Sequence, residues 1–118
     1  MGTLKLTIKF SFMKGANVLV SNIILNQTVI PVDHYKENEQ DGLLNIIVDF
    51  KVTSENYHDI ATLLYAGIFD VEVPEKGIAF RGAIQSYYTS VTNLYKEGEV
   101  GDYHISLLEV KNEEMRLS

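Results

Sequence analysis

Apolar and polar residues alternate over residues 4–13, with Leu4, Leu6, Ile8, Phe10 and Phe12 on one side of the pattern. That two-residue period marks a half-buried strand. Lys14, Gly15, Ala16 and Asn17 supply a turn. Residues 18–25 are β-branched and alternate less, as expected where a strand is covered on both faces or bulges. Asn26 and Gln27 can turn the chain, and residues 28–35 form a third candidate strand. Pro31 has no N–H to donate, so this strand is expected at a sheet edge. Residues 36–42 hold no apolar member and read as a mobile polar loop. Residues 43–52 then read as a long apolar strand.

The period changes after Thr53. Ser54 is a good helix N-cap, and Glu55 falls in the first turn, where the helix dipole favours a carboxylate. Tyr57, Ile60, Ala61 and Leu64 form one helical stripe, widened by Leu63. Gly67 can end the helix, which is predicted over about residues 54–66. A helix this short must pack against a sheet to persist in water. Residues 68–73 alternate again, and Pro74, Glu75, Lys76 and Gly77 form a turn. Residues 78–92 read as one long strand, or as two broken by a bulge at Gly82. Residues 96–101 form a second polar loop, residues 102–111 a final alternating strand, and the polar tail from about 112 is expected to fray.

The pattern therefore predicts seven or eight strands and one short helix. The strands do not alternate with helices, which disfavours a parallel α/β sheet. The predicted fold class is mainly β: an antiparallel β-barrel or strongly bent sheet, with the helix plugging one end or covering one face. No repeat or linker divides residues 1–118, so one domain is expected.

Composition narrows the chemistry. There is no cysteine, which removes disulfides, thiolate nucleophiles and cysteine metal sites. The net charge is −6, and the lysines are scattered rather than clustered, so nucleic-acid binding is not expected. No stretch reaches the ~20 apolar residues of a membrane span, and the alternating N-terminal stretch has no unbroken apolar run of the signal-peptide kind. A soluble, cytoplasmic protein is the expectation. The acidity is read as a surface that resists self-association.

The run from Thr53 to Ala61, followed by Leu63, Leu64 and Tyr65, resembles the small bacterial YkvR-like family. Phe69 to Glu75, Phe80-Arg81-Gly82 and Thr92-Asn93-Leu94-Tyr95 carry the same resemblance in the same order. It covers roughly the second half of the chain; the first forty residues match less well, and the opening hairpin looks like an elaboration. The resemblance implies a β-barrel-type domain of uncharacterised function and brings no catalytic residue with it.

Each histidine has an aspartate nearby: Asp33 with His34, His58 with Asp59, and Asp102 with His104. Imidazole and carboxylate can share a metal, but none of these has helical His-x-x-x-His spacing, and ordinary surface histidines are the favoured reading. Ser54 and His58 could enter a nucleophilic arrangement, yet no nucleophile elbow is present. Asp70, Glu72 and Glu75 read as a solvated charge run rather than an acid–base pair. Glu97, Glu99 and Asp102 lack the ligand order of a calcium loop. Arg81 is the best single ligand candidate, because a guanidinium fork suits carboxylate or phosphate. The favoured reading of Arg81 is nonetheless a salt bridge to Asp70 or Glu72. Tyr57 and His58 join Arg81 as candidate ligand-binding residues. Tyr87, Tyr88 and Tyr95 are candidate interface residues, with Tyr87 and Tyr88 expected on opposite faces.

Together these expectations describe a non-enzymatic binding or assembly module. Its partner would be another protein or a second copy of the chain as a homodimer; no nucleic acid, membrane or cofactor is expected. The alternative is a small-molecule binder or small hydrolase that uses the open end of the barrel.

Overall fold

The computed structural model describes residues 19–90 and 92–110. The expectations for residues 4–13 and for the tail from 112 lie outside the described residues. Seven strands form one antiparallel sheet: β1 (Asn22–Leu25), β2 (Thr28–Pro31), β3 (His34–Gln40), β4 (Leu43–Thr53), β5 (Ile68–Val73), β6 (Ile78–Thr89) and β7 (Val100–Glu109). The helix α1 (Tyr57–Tyr65) joins β4 to β5, and a short 3-10 turn (Pro74–Lys76) joins β5 to β6. Across the sheet the order is β2-β1-β5-β6-β7-β4-β3.

That order explains the bend. The two edge strands, β2 and β3, are consecutive in the chain, and only Val32 and Asp33 lie between them. Seven flat strands would hold the edges roughly 29 Å apart at the usual spacing. Three residue steps reach at most about 11 Å. The sheet must therefore roll until its edges meet at this corner. The backbone shows the switch: Val32 N–H donates to Ser21 O at 2.9 Å, towards β1, and Asp33 N–H donates to Asp49 O at 2.7 Å, on β4. The sheet is an open, strongly bent roll rather than a closed barrel.

The inner face carries the core. Ile46, Val48, Phe50 and Val52 from β4 are buried with Phe69, Val71 and Val73 from β5 and Ile105 and Leu107 from β7. Asp70 and Glu72 alternate outward, as the two-residue period requires. α1 crosses the end of the sheet between β4 and β5, which lie three strand positions apart. Nine helical residues span roughly 14 Å, and three strand spacings are about the same. Ile60 and Leu64 are its buried stripe.

Three expectations are corrected. Residues 36–42 are not a loop: residues 34–40 are β3, paired with β4 over seven positions, and only the turn at Asp41 and Gly42 follows. Polar residues suffice there because β3 is an edge strand, with backbone pairing on one side and solvent along much of its face. Ser54 does not cap the helix. It sits in the preceding turn and accepts Gly98 N–H at 3.1 Å, while Asn56 stands at the cap position and accepts Thr53 N–H at 2.8 Å. Gly82 does not break β6; the irregularity falls between Ile84 and Ser86. Gly82 instead makes room for Phe80, whose ring edge would lie 2.8 Å from an added Cβ. The edge position of β2 and the chain reversal at Gly67, with φ +80°, agree with the pattern.

Candidate functional site

α1 buries Ile60 and Leu64, so its other flank looks outward. Tyr57, His58, Ala61, Thr62 and Tyr65 line that flank together with Ser54 from the preceding turn, and Leu94 and Tyr95 from the β6–β7 connection form the opposite wall. Between them is an open groove of about 510 Å³. A second cavity of about 250 Å³ continues past Tyr57, Leu94 and Tyr95 to Tyr87, Ser90, Asn93 and Tyr103. The two share those three residues and make one trough. Five of the seven tyrosines line it: Tyr57, Tyr65, Tyr87, Tyr95 and Tyr103.

The bulge in β6 explains how Tyr87 arrives there. Gln85 is the extra residue, so the faces shift by one after Ile84. Tyr87 then lies opposite Ile105 on the inner face, and Tyr88 lies opposite His104 on the outer face. The rings of Tyr57 and Tyr95 meet edge to face at 5.5 Å and 79°. Those of Tyr87 and Tyr103 are tilted at 6.0 Å. The Tyr57 phenol is raised above its ordinary pKa by its hydrogen-bonding contact with the Tyr95 hydroxyl, then by burial and by Tyr87. Burial chiefly raises Tyr103, helped by Tyr87 and Tyr57. Raised in this way, the Tyr57 and Tyr103 phenols are neutral at physiological pH.

Most small polar groups of the lining are already engaged. Ser54 Oγ accepts Gly98 N–H, Ser90 Oγ accepts Asp102 N–H at 2.9 Å, and Asn93 Oδ1 accepts Tyr95 N–H at 3.1 Å. Neither cavity is lined by a lysine, arginine, aspartate or glutamate. The arrangement offers aromatic surface and hydroxyls without charge.

Of the sequence candidates, Tyr57, His58, Tyr87 and Tyr95 are brought to the trough. Arg81 is not. It lies opposite Asp70 in the β5–β6 ladder and donates to Asp70 Oδ1 at 2.7 Å, as the salt-bridge reading expects. Tyr88 is also elsewhere, stacked on the His104 ring at 4.5 Å. His104 Nδ1 lies 2.6 Å from Asp49 Oδ1, and His34 Nδ1 lies 3.9 Å from Asp49 Oδ2. Lys51 bridges Asp33 and Asp102 at 3.0 and 2.9 Å. Among the described residues no group of three or more histidines and carboxylates is arranged to hold a metal ion. Sequence reasoning missed Tyr65, Leu94 and Tyr103. The signal for Tyr65 was present, since Tyr57, Ala61 and Tyr65 repeat every four positions along one helix flank.

The family model described as "Protein of unknown function (DUF3219)" matches residues 22–115. The chain belongs to this family. A relative, the uncharacterized protein YkvR of Bacillus subtilis (strain 168), is 45% identical over 86 residues, or 73% of this chain and 88% of that protein. The NMR solution structure of YkvR from Bacillus subtilis is similar, with a TM-score of 0.53 and 40% identity over 79% of this chain and 88% of the other. The family match reaches back to β1, well beyond the second half where the sequence resemblance is densest. It includes both walls of the trough. Among the described residues no helix is long and apolar enough to cross a membrane.

Proposed function

We propose that the chain is a non-enzymatic binding module of the cytoplasm, and that the trough between α1 and the β6–β7 connection is its binding site. The convergence of five tyrosines from α1, β6, β7 and a loop on two joined cavities carries this reading. The larger cavity falls within the roughly 300–1,000 Å³ usual for ligand sites. The walls are mostly aromatic, which suits binding and orienting a ligand, and His58 is the one imidazole among the residues that line them. A fragment screen followed by amide NMR tests the site. Hits should move the resonances of Tyr57, Leu94 and Tyr95. Hits that gather instead on the His34–Asp49–His104 row would overturn it.

Self-association through the same tyrosines is a second reading, favoured by Tyr65 and Tyr95, which are 92% and 86% exposed. Strand-to-strand pairing is poorly served, because β2 is four residues long and ends in Pro31 and β3 carries Lys36, Glu37 and Glu39. Light scattering across a concentration series separates the readings: a homodimer lost on Tyr95→Ala would support the second, and a monomer throughout would remove it.

A further inference from the structure

We propose that the trough takes a small quaternary ammonium compound with an uncharged tail, its positive head seated against the Tyr57, Tyr65 and Tyr95 rings; this rests on the trough being the binding site. The walls come first. Tyr57 and Tyr95 line both cavities, and their rings meet at 79° with centroids 5.5 Å apart. Two rings near a right angle make a corner, and a group seated in it lies within about 6 Å of both centroids, the reach of a cation–π contact. Tyr65 adds a third ring to the larger cavity. Each aromatic face carries the negative part of a quadrupole, so the corner attracts positive charge.

Charge around the mouth favours the same sign. The Ser54 end is bordered by Glu55 and by the connection over residues 96–99. Gly98 N–H donates to Ser54 Oγ at 3.1 Å, and Ser54 N–H donates to Glu99 O at 3.0 Å, which ties that connection in place. The border sets Glu55, Glu97 and Glu99 against Lys96, on a chain of net charge −6. An anion is repelled there and a cation is drawn in. The walls then decide which cation. They hold no carboxylate. A primary ammonium or a guanidinium would carry several N–H donors out of water with no ionised acceptor to meet them. A quaternary ammonium has no N–H to satisfy and turns its methyl groups to the ring faces. The carboxylates at the mouth disfavour an anionic tail, which selects a free choline-like compound over a phosphocholine headgroup.

The test is an NMR titration of the full chain with carbon-labelled tyrosine rings, at about pH 8, where ordinary imidazoles are neutral. The probes are choline chloride, phosphocholine, ethanolamine and dimethylbutanol, which has the shape of choline with carbon in place of the charged nitrogen. The expected result is saturable movement of the Tyr57, Tyr65 and Tyr95 signals with choline and binding about fivefold weaker, or more, for the other three. The choline affinity should fall as sodium chloride is raised. Tyr95→Phe keeps the ring face and should keep the affinity, whereas Tyr95→Leu should lose about fivefold. Tyr95 is exposed, so both variants should fold, and the unchanged remainder of each spectrum verifies that. Dimethylbutanol binding as well as choline would overturn the inference, as would equal binding of ethanolamine or phosphocholine. A loss in Tyr95→Phe as large as that in Tyr95→Leu would do the same, and so would silence from choline. If screened fragments still gather in the trough in that last case, the binding site stands and only the occupant is wrong; if they do not, both fall.

Discussion

Lys76 and Glu37 form an ion pair that is almost wholly buried, with side chains 8% and 11% exposed and Nζ 3.5 Å from Oε1. Tyr35 donates its hydroxyl to the same oxygen at 2.6 Å, while Glu37 Oε2 is buried without a hydrogen-bond partner. Such a pair costs more to break than to replace. Lys76→Met should lower stability by ~3–5 kcal/mol, and the double variant Lys76→Met/Glu37→Leu should recover most of that in urea unfolding. Burial first, then Glu37 as hydrogen-bond partner and charge, pushes the Tyr35 phenol far above its ordinary range. The folded chain keeps a proton that the unfolded chain releases near pH ~10. The stability this contributes is whole below about pH 10 and is lost as pH rises beyond it. Tyr35→Phe should therefore show a shallower alkaline loss than the parent, measured as urea midpoints between neutral pH and about pH 11. Sequence reading saw neither effect. Glu37 falls in the segment read as a polar loop and Tyr35 at the end of the candidate strand 28–35, and nothing local reveals that an edge strand is curled inward.

At the scale of elements, legibility follows the periodicity. β4 and β5 could be read directly, because burial on one face leaves alternation in the sequence. The stripe of α1 was legible for the same reason, but its start was not. Ser54 has the chemistry of a cap and is used in a turn instead. β6 was ambiguous because Gln85 shifts the faces midway, and no residue type announces a bulge. Gln85 is held by a small polar network on the outer face: Ser106 Oγ donates to Gln85 Oε1 at 3.1 Å, and Asn45 Nδ2 donates to Ser106 Oγ at 2.9 Å and Leu107 O at 3.0 Å. Asn45→Ala should cost ~1–3 kcal/mol, since buried polar atoms lose their partner. It should also broaden Gln85 and Ser86 signals in NMR spectra. Gly82→Ala pushes a methyl against Phe80 and should cost about 1 kcal/mol in thermal or urea unfolding, with the ring displaced outward. The candidate site was half legible: the excess of tyrosine was plain, but its convergence depends on the bulge and on the crossing of α1.

For the whole molecule, the sheet order sets a gradient of protection. β1, β5, β6, β7 and β4 are paired on both sides, whereas β2 and β3 are paired on one. Amide hydrogen exchange should be slowest at Phe50, Ile105 and Leu107 and fastest along β2 and β3, because edge strands open without disturbing the centre. Exchange that is uniform across all seven strands would instead mean that the roll opens only as a unit.

The two-residue connection between β2 and β3 has a mechanical meaning. It works as a hinge pin joining the two borders of the roll. Further along β3, Glu37 and Lys76 act as the latch, with Lys76 carried on the same 3-10 turn whose Glu75 carboxylate takes the backbone N–H of Ser21 at 3.1 Å. The pin is covalent and the latch is not, so the two borders can part only on the latch side, as a door does.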